Sequence, residues 1–188
     1  MAFESLNKLF FDRAEQYDKK PFLWAKKNKN WTPLSWNQTS LKVREFSGGL
    51  RSFGIKPGDK VVIVSENRPE WIIADLAITL IGAITVPAYT TNTEDDHHYI
   101  LEHSDAKAVI ASNNILANRV ALATTRTKLC KLLITLDNYS GFEPDNLKII
   151  NFNEVSDFGK NNIETSLDYL DQIQPDDVSC IIYTSGTG

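Results

Sequence analysis

Five short, largely apolar runs recur between residues 61 and 152: Val61–Val64, Ala83–Val86, Lys107–Ala111, Lys131–Thr135 and Leu147–Phe152. A further run, Val178–Ile182, lies near the end of the chain. Runs that are apolar at nearly every position, rather than at every second one, suit strands buried on both faces. The stretches between most of them carry apolar residues at helical spacing. Such alternation predicts an α/β fold, a mainly parallel sheet with helices on both faces. In a sheet of this kind, ligands bind beyond the carboxyl ends of the strands.

Local signals punctuate the pattern. Leu6, Leu9, Phe10, Ala14 and Tyr17 recur as one stripe of an amphipathic helix. Packing against the domain is the preferred reading of that stripe, and rest on a membrane surface is the second. Two β-like pieces follow, Pro21–Ala25 and Trp31–Leu34, with a turn at Asn28 to Asn30; the lysines Lys26, Lys27 and Lys29 read as a solvated turn. Ser35 with Gln38, and Thr93 with Asp96, carry the spacing of capping boxes. The first opens a helix with Val43, Phe46, Leu50 and Phe53 inward and Gly54 placed to end it. Pro57-Gly58 makes a turn, and Pro69 sits in a first helical turn, where its missing N–H costs little. A helix is expected from about Asn114 to Thr125. Beyond Leu136 the pattern weakens: a loop over Asn138–Asn146, then a short helix over Ser166–Ile173. His97, His98 and His103 do not share a helix face and read as solvated surface rather than metal ligands.

Composition narrows the function classes. A net charge of −4 argues against a nucleic-acid partner, which would require a basic footprint. Cys130 and Cys180 lie far apart in apolar runs and read as free thiols of a reducing compartment. The first 20 residues contain Glu4, Asp12, Glu15 and Asp18 and do not form a secretory signal. The longest apolar stretch, Trp71–Ala88, is interrupted by Asp75, Gly82 and Pro87 and reads as a buried helix followed by a strand. The expectation is a soluble, cytoplasmic protein. With no repeat, low-complexity tract or clear linker, residues 1–188 are treated as one unit.

The final segment, Tyr183-Thr184-Ser185-Gly186-Thr187-Gly188, carries the chemistry. Glycine lets a backbone approach an anion closely, successive N–H groups form an anion-binding concavity, and small hydroxyls bond phosphate oxygens or a metal ion. On local chemistry alone, an ordinary tight turn or the start of a G-x-G-x-x-G fingerprint remains open. No G-x-x-x-x-G-K-[ST] sequence occurs, so no Walker-type site is present.

The segment resembles the first half of the Y-T-S-G-T-T-G-x-P-K-G loop of AMP-forming acyl-CoA synthetases, the adenylate-forming ligase superfamily. Ser65-Glu66-Asn67-Arg68-Pro69-Glu70-Trp71, then Gly82 and Val86-Pro87-Ala88-Tyr89, is similar to a run typical of the long-chain fatty acyl-CoA synthetases. Gly58-Asp59 and Asp177 fit the same order, and the likeness runs from about Leu6 to the end, weakest over Thr124–Thr165.

The resemblance implies the amino-terminal part of an adenylation (AMP-binding) domain, interrupted inside its phosphate-binding loop. It implies ATP, Mg²⁺ and CoA as cofactor and co-substrates, and a fatty acid as the partner to be activated. Thr184, Ser185, Gly186, Thr187 and Gly188 would hold the ATP phosphates, with Thr184 a contact for Mg²⁺ and Tyr183 positioning the loop. No catalytic residue is assigned within these residues, so the chain alone is expected to be inactive. The long-chain branch leaves room for peripheral membrane association. A ligase delivering the acyl group to a carrier protein, or a non-catalytic α/β interaction module, are the alternatives. The pattern departs at Gly188, where the family has a second Thr; a shortened loop and an interrupted sequence both account for it. Asn67–Trp71 reads as a structural helix entry, and Thr90–Thr93 as a loop and cap.

Overall fold

The computed structural model describes residues 5–161, 163 and 167–184. Helix α1 (Leu6–Tyr17) leads into strands β1 (Pro21–Lys27) and β2 (Asn30–Ser35), followed by α2 (Trp36–Ser52). Strand β3 (Lys60–Val64), α3 (Pro69–Leu80), β4 (Ile84–Ala88), α4 (Glu94–His103), β5 (Ala106–Ala111) and α5 (Asn114–Thr124) then alternate. Strands β6 (Leu132–Thr135) and β7 (Lys148–Asn151), helix α6 (Phe152–Lys160) and a 3-10 turn at Leu170–Gln172 complete the order.

β1 and β2 form an antiparallel hairpin whose turn residues, Asn28 and Lys29, both have positive φ (48° and 68°). That pair of conformations matches the right-handed twist of the flanking strands. The main sheet has five strands in the order β4-β3-β5-β6-β7, and every pairing is parallel. One row of partners crosses it: Val86, Val62, Val109, Leu133 and Ile149.

Both faces are covered, as the apolar runs require. Val61 and Ile63 of β3, Ala108 and Ile110 of β5, and Ile134 of β6 pack against α2, α3 and α6 through Phe46, Leu50, Ile78 and Val155. Their alternates Val62, Val64, Val109, Ala111 and Leu133 pack against α4 and α5 through Ile100, Leu101, Leu116 and Val120. The period-two geometry of a strand sends neighbours to opposite faces, so each strand contributes to two cores.

Both capping boxes form, Ser35 with Gln38 and Thr93 with Asp96. Pro69 is the first residue of α3, and Gly54 follows α2 at φ 84°, a left-handed position where glycine is unstrained. The Trp71–Ala88 stretch divides into α3 and β4, and among the described residues no helix is long and apolar enough to cross a membrane.

Several expectations are corrected. Val178–Ile182 forms no strand of its own, only one parallel bridge between Thr85 and Cys180 at the open edge of β4. The Thr85 N–H donates to the Ser179 carbonyl and the Ile181 N–H to the Thr85 carbonyl, each at 3.0 Å. Val178 and Ile182 are 60% and 63% exposed, so without a helix over its faces the run has little burial to extend the ladder. In α1 the inward residues are Asn7, Phe10 and Ala14, while Leu6 and Leu9 are exposed. Asn7 fits inside because its amide meets the Thr79 hydroxyl at 3.0 Å. The expected helix at Ser166–Ile173 shrinks to the 3-10 turn, and Ser166 lies outside the described residues. Helix α6 was not anticipated. His97 is buried rather than solvated, held inward beside Ile100 and Leu101 on α4, and His98 is half-buried. Cys130 is buried and Cys180 exposed, and neither is in a disulfide.

Candidate functional site

The carboxyl ends of β3, β5 and β6 are tied into one polar network. Sheet hydrogen bonding continues past the strands: Ser112 N–H donates to the Val64 carbonyl at 3.1 Å, and Asp137 N–H to the Ser112 carbonyl at 3.2 Å. After β3, Glu66 accepts from the Ser112 hydroxyl and, at 2.8 Å, from the Asn113 side-chain amide. The Ser112 bond is the main reason its carboxyl is held below the usual range. Arg68 donates through Nε to Glu70 at 2.9 Å and through Nη1 to Asp137 at 3.0 Å. Those partners, Glu70 first, raise its already high pKa. Every charge here has a partner, so the network braces the strand ends and offers no free acid or base. The Asn67–Trp71 run leads into α3, with Pro69 buried as its first residue and Trp71 packed on the core.

The loop after β4 is also fixed. Arg119 of α5 donates to the Thr90 carbonyl at 3.1 Å and to the Asn92 carbonyl at 2.7 Å. This leaves Tyr89 67% exposed.

The terminal segment reaches this region from the side of β4. Beyond the Cys180 bridge, Ile181 and Tyr183 pack on the α4–α5 core. The Tyr183 hydroxyl lies 2.8 Å from His103 Nδ1, and its ring meets Tyr99 and His103 edge-on. Burial, first, pushes the Tyr183 hydroxyl above its usual range. Thr184, the next residue, is exposed. Ser185, Gly186, Thr187 and Gly188, the other expected phosphate contacts, lie outside the described residues. The His103 anchor was not anticipated: 80 positions separate it from Tyr183, and no sequence spacing signals such a contact.

A cavity of about 580 Å³ sits elsewhere, between Leu6, Gly58, Gly82, Tyr169 and Val178. It opens at the amino ends of β3 and β4, away from the edge where parallel sheets bind ligands. Among the described residues, no group of three His, Cys, Asp or Glu side chains is placed to hold a metal ion.

A family model described as "AMP-binding enzyme" matches residues 10–188. The chain belongs to the AMP-binding enzyme family. Its relatives in that family include a long-chain-fatty-acid–CoA ligase of Mycobacterium tuberculosis, 30% identical over 84% of this chain and 25% of the relative. A chloroplastic long-chain-fatty-acid–[acyl-carrier-protein] ligase of Arabidopsis thaliana is 27% identical over 82% of this chain and 23% of the relative. Among solved structures, the coronafacic acid ligase of Pectobacterium brasiliense superposes with a TM-score of 0.75 at 23% identity, covering 94% of this chain and 33% of that one. That likeness shows a shared fold. The chain spans about a quarter of the length of the curated AMP-binding relatives it matches.

Proposed function

We propose that these residues are the amino-terminal portion of the adenylation domain of an ATP-dependent long-chain fatty acid–CoA ligase. The observation that carries the reading is the family match through residue 188, which takes in the hydroxyl- and glycine-rich segment that follows Tyr183. Its support in the fold is the extended run hydrogen-bonded along β4 and anchored through Tyr183 on His103, immediately before exposed Thr184.

The donor chemistry fits a polyphosphate. Thr184 is exposed, and the residues after it bring hydroxyls and glycine backbone with no carboxylate to repel an anion. In this reading Thr184, Ser185 and Thr187 donate hydroxyls to the ATP phosphates, and Gly186 and Gly188 allow close approach of backbone N–H groups. Mg²⁺ would contact Thr184 and offset phosphate charge. A fatty-acid carboxylate oxygen attacks the α-phosphorus, the bond to pyrophosphate breaks, and the CoA thiol then displaces AMP to leave a thioester. The loop contributes by positioning and by stabilising charge as it develops.

The carrier-protein ligase among the relatives favours a second acceptor, the thiol of an acyl-carrier protein. The first half-reaction is common to both. Fatty-acid-dependent ATP–pyrophosphate exchange by the longer protein carrying this span tests the reading, and absence of exchange overturns it. Supplying CoA or carrier protein to the same enzyme then identifies the acceptor. The 188-residue chain alone is expected to give no exchange, because a few aligned contacts do not offset the cost of association.

A further inference from the structure

The β1–β2 hairpin stands apart from the main sheet and has two unlike faces. Its register places Trp24 opposite Pro33 and Lys26 opposite Trp31, so these four side chains share one face of the ribbon. That face looks outward: Trp24 is 51% exposed, Trp31 is 65% exposed, and Lys26 and Pro33 are exposed. The opposite face, through Leu23 and Leu34, packs on the core. A register irregularity between Pro21 and Leu23 lets Phe22 turn inward too, where it stacks on Trp36 at 3.8 Å between ring centroids.

Charge is concentrated in the same place. Residues 19–35 contain five lysines and no Asp or Glu, in a chain whose net charge is −4. Lys29 sits at the exposed turn, and ion pairs among the described residues form elsewhere, at Arg68, Arg126, Lys128 and Lys160. Two exposed indoles and Lys26 therefore share one ribbon face, with Lys29 exposed at its turn.

We propose that this hairpin face docks on the surface of an anionic lipid bilayer. Indole rings are amphipathic and settle at the headgroup level, and lysine stems lie along apolar surface while their ammonium groups meet anionic headgroups. Each lysine near such a surface strengthens binding by roughly fivefold. A single-stranded nucleic acid is the competing polyanion, since it too uses basic and aromatic surface. The bilayer fits better: the aromatic pair and Lys26 lie on the outer face of a short two-stranded ribbon that a flat surface can cover, whereas a flexible polyanion wrapping the chain would meet its net charge of −4. This docking is independent of the proposed adenylation.

The test is co-sedimentation of the 188-residue chain with vesicles of phosphatidylcholine alone or with phosphatidylserine added. Binding is expected only to the mixed vesicles and is lost at high salt. Lys26→Gln/Lys29→Gln should weaken it by about tenfold or more, and Trp24→Ser/Trp31→Ser should weaken it comparably. Far-UV circular dichroism establishes that each variant is folded; a misfolded pair is replaced by the single substitutions Trp31→Ser and Lys29→Gln. Brominated lipids should quench the wild-type fluorescence and leave the residual emission of Trp36 and Trp71 in the double tryptophan variant unquenched. No binding to anionic vesicles, binding unchanged in folded variants, or preference for oligo-dT over vesicles would each overturn the proposal.

Discussion

Gly159 of α6 and Gly49 of α2 meet where the two helices cross, with no room for a side chain on either. A Cβ on Gly159 would collide with the Glu45 carbonyl oxygen and lie 2.5 Å from the Gly49 nitrogen; one on Gly49 would collide with the Val155 carbonyl. Backbone contact at this crossing brings Phe152 onto Phe46, with ring centroids 4.0 Å apart, and closes one face of the sheet.

Gly159→Ala should therefore destabilise the protein by about 1–3 kcal/mol, overpacking outweighing the helix propensity gained. Urea denaturation measures this, with exposed Asn153→Ala as the control on the same helix. Equal midpoints for the two variants would mean that α6 can shift outward at no cost.

Arg68→Ala should cost about 1–2 kcal/mol, because Asp137 and Glu70 lose a shared charged donor at the strand ends. Arg68→Lys should recover only part of it, since a single ammonium cannot reproduce the two directed bonds. Denaturation midpoints of the three proteins check the order, and full recovery by lysine would reduce the bridge to simple charge.

His97 predicts an acid-sensitive stability. Burial, first, and the charge of Arg119 lower its pKa from 6.5 to about 4, and among the described residues neither ring nitrogen has a hydrogen-bond partner. Between these values the unfolded chain binds a proton that the folded chain refuses, so stability rises with pH. The contribution is complete above pH 6.5 and is lost as pH falls toward 4, by on the order of 2–3 kcal/mol. His97→Leu should flatten that part of the stability–pH curve. An identical slope in the variant would assign the acid sensitivity to the carboxylates.

If this span belongs to the longer ligase proposed above, Ser185→Ala/Thr187→Ala in that protein should slow adenylation by roughly a hundredfold, the scale of losing positioned donors to developing charge. Thioester formation from supplied acyl-adenylate should be largely kept. Pyrophosphate release and thioester assays, run side by side, separate the two steps. Unchanged adenylation would remove these hydroxyls from the mechanism, and equal losses with an altered circular-dichroism spectrum would make them structural.

Much of the fold was legible because its signals are local. The five apolar runs become the five parallel strands, the capping boxes at Ser35 and Thr93 form, and Pro69 and Gly54 bound their helices as their chemistry requires. Helix α6 also had a local signal, Asn151 with Glu154 as a capping box. It was masked because Phe152 extends the apolar run of β7, and a short run does not reveal where a strand yields to a helix.

What sequence by itself determined is therefore the alternation of elements, the capped helix starts and the terminal segment rich in hydroxyls and glycine. Periodicity and capping depend on residues a few positions apart. Tertiary structure decided which apolar runs gain a covering layer. Val61–Val64 is buried on both faces and becomes a full strand, whereas Val178–Ile182, also largely apolar, lies at an uncovered edge and keeps one bridge. It also decided that His97 turns inward and that Tyr183 rests on His103. Each depends on chain segments meeting across many residues, and burial free energy is set only once those partners are in place.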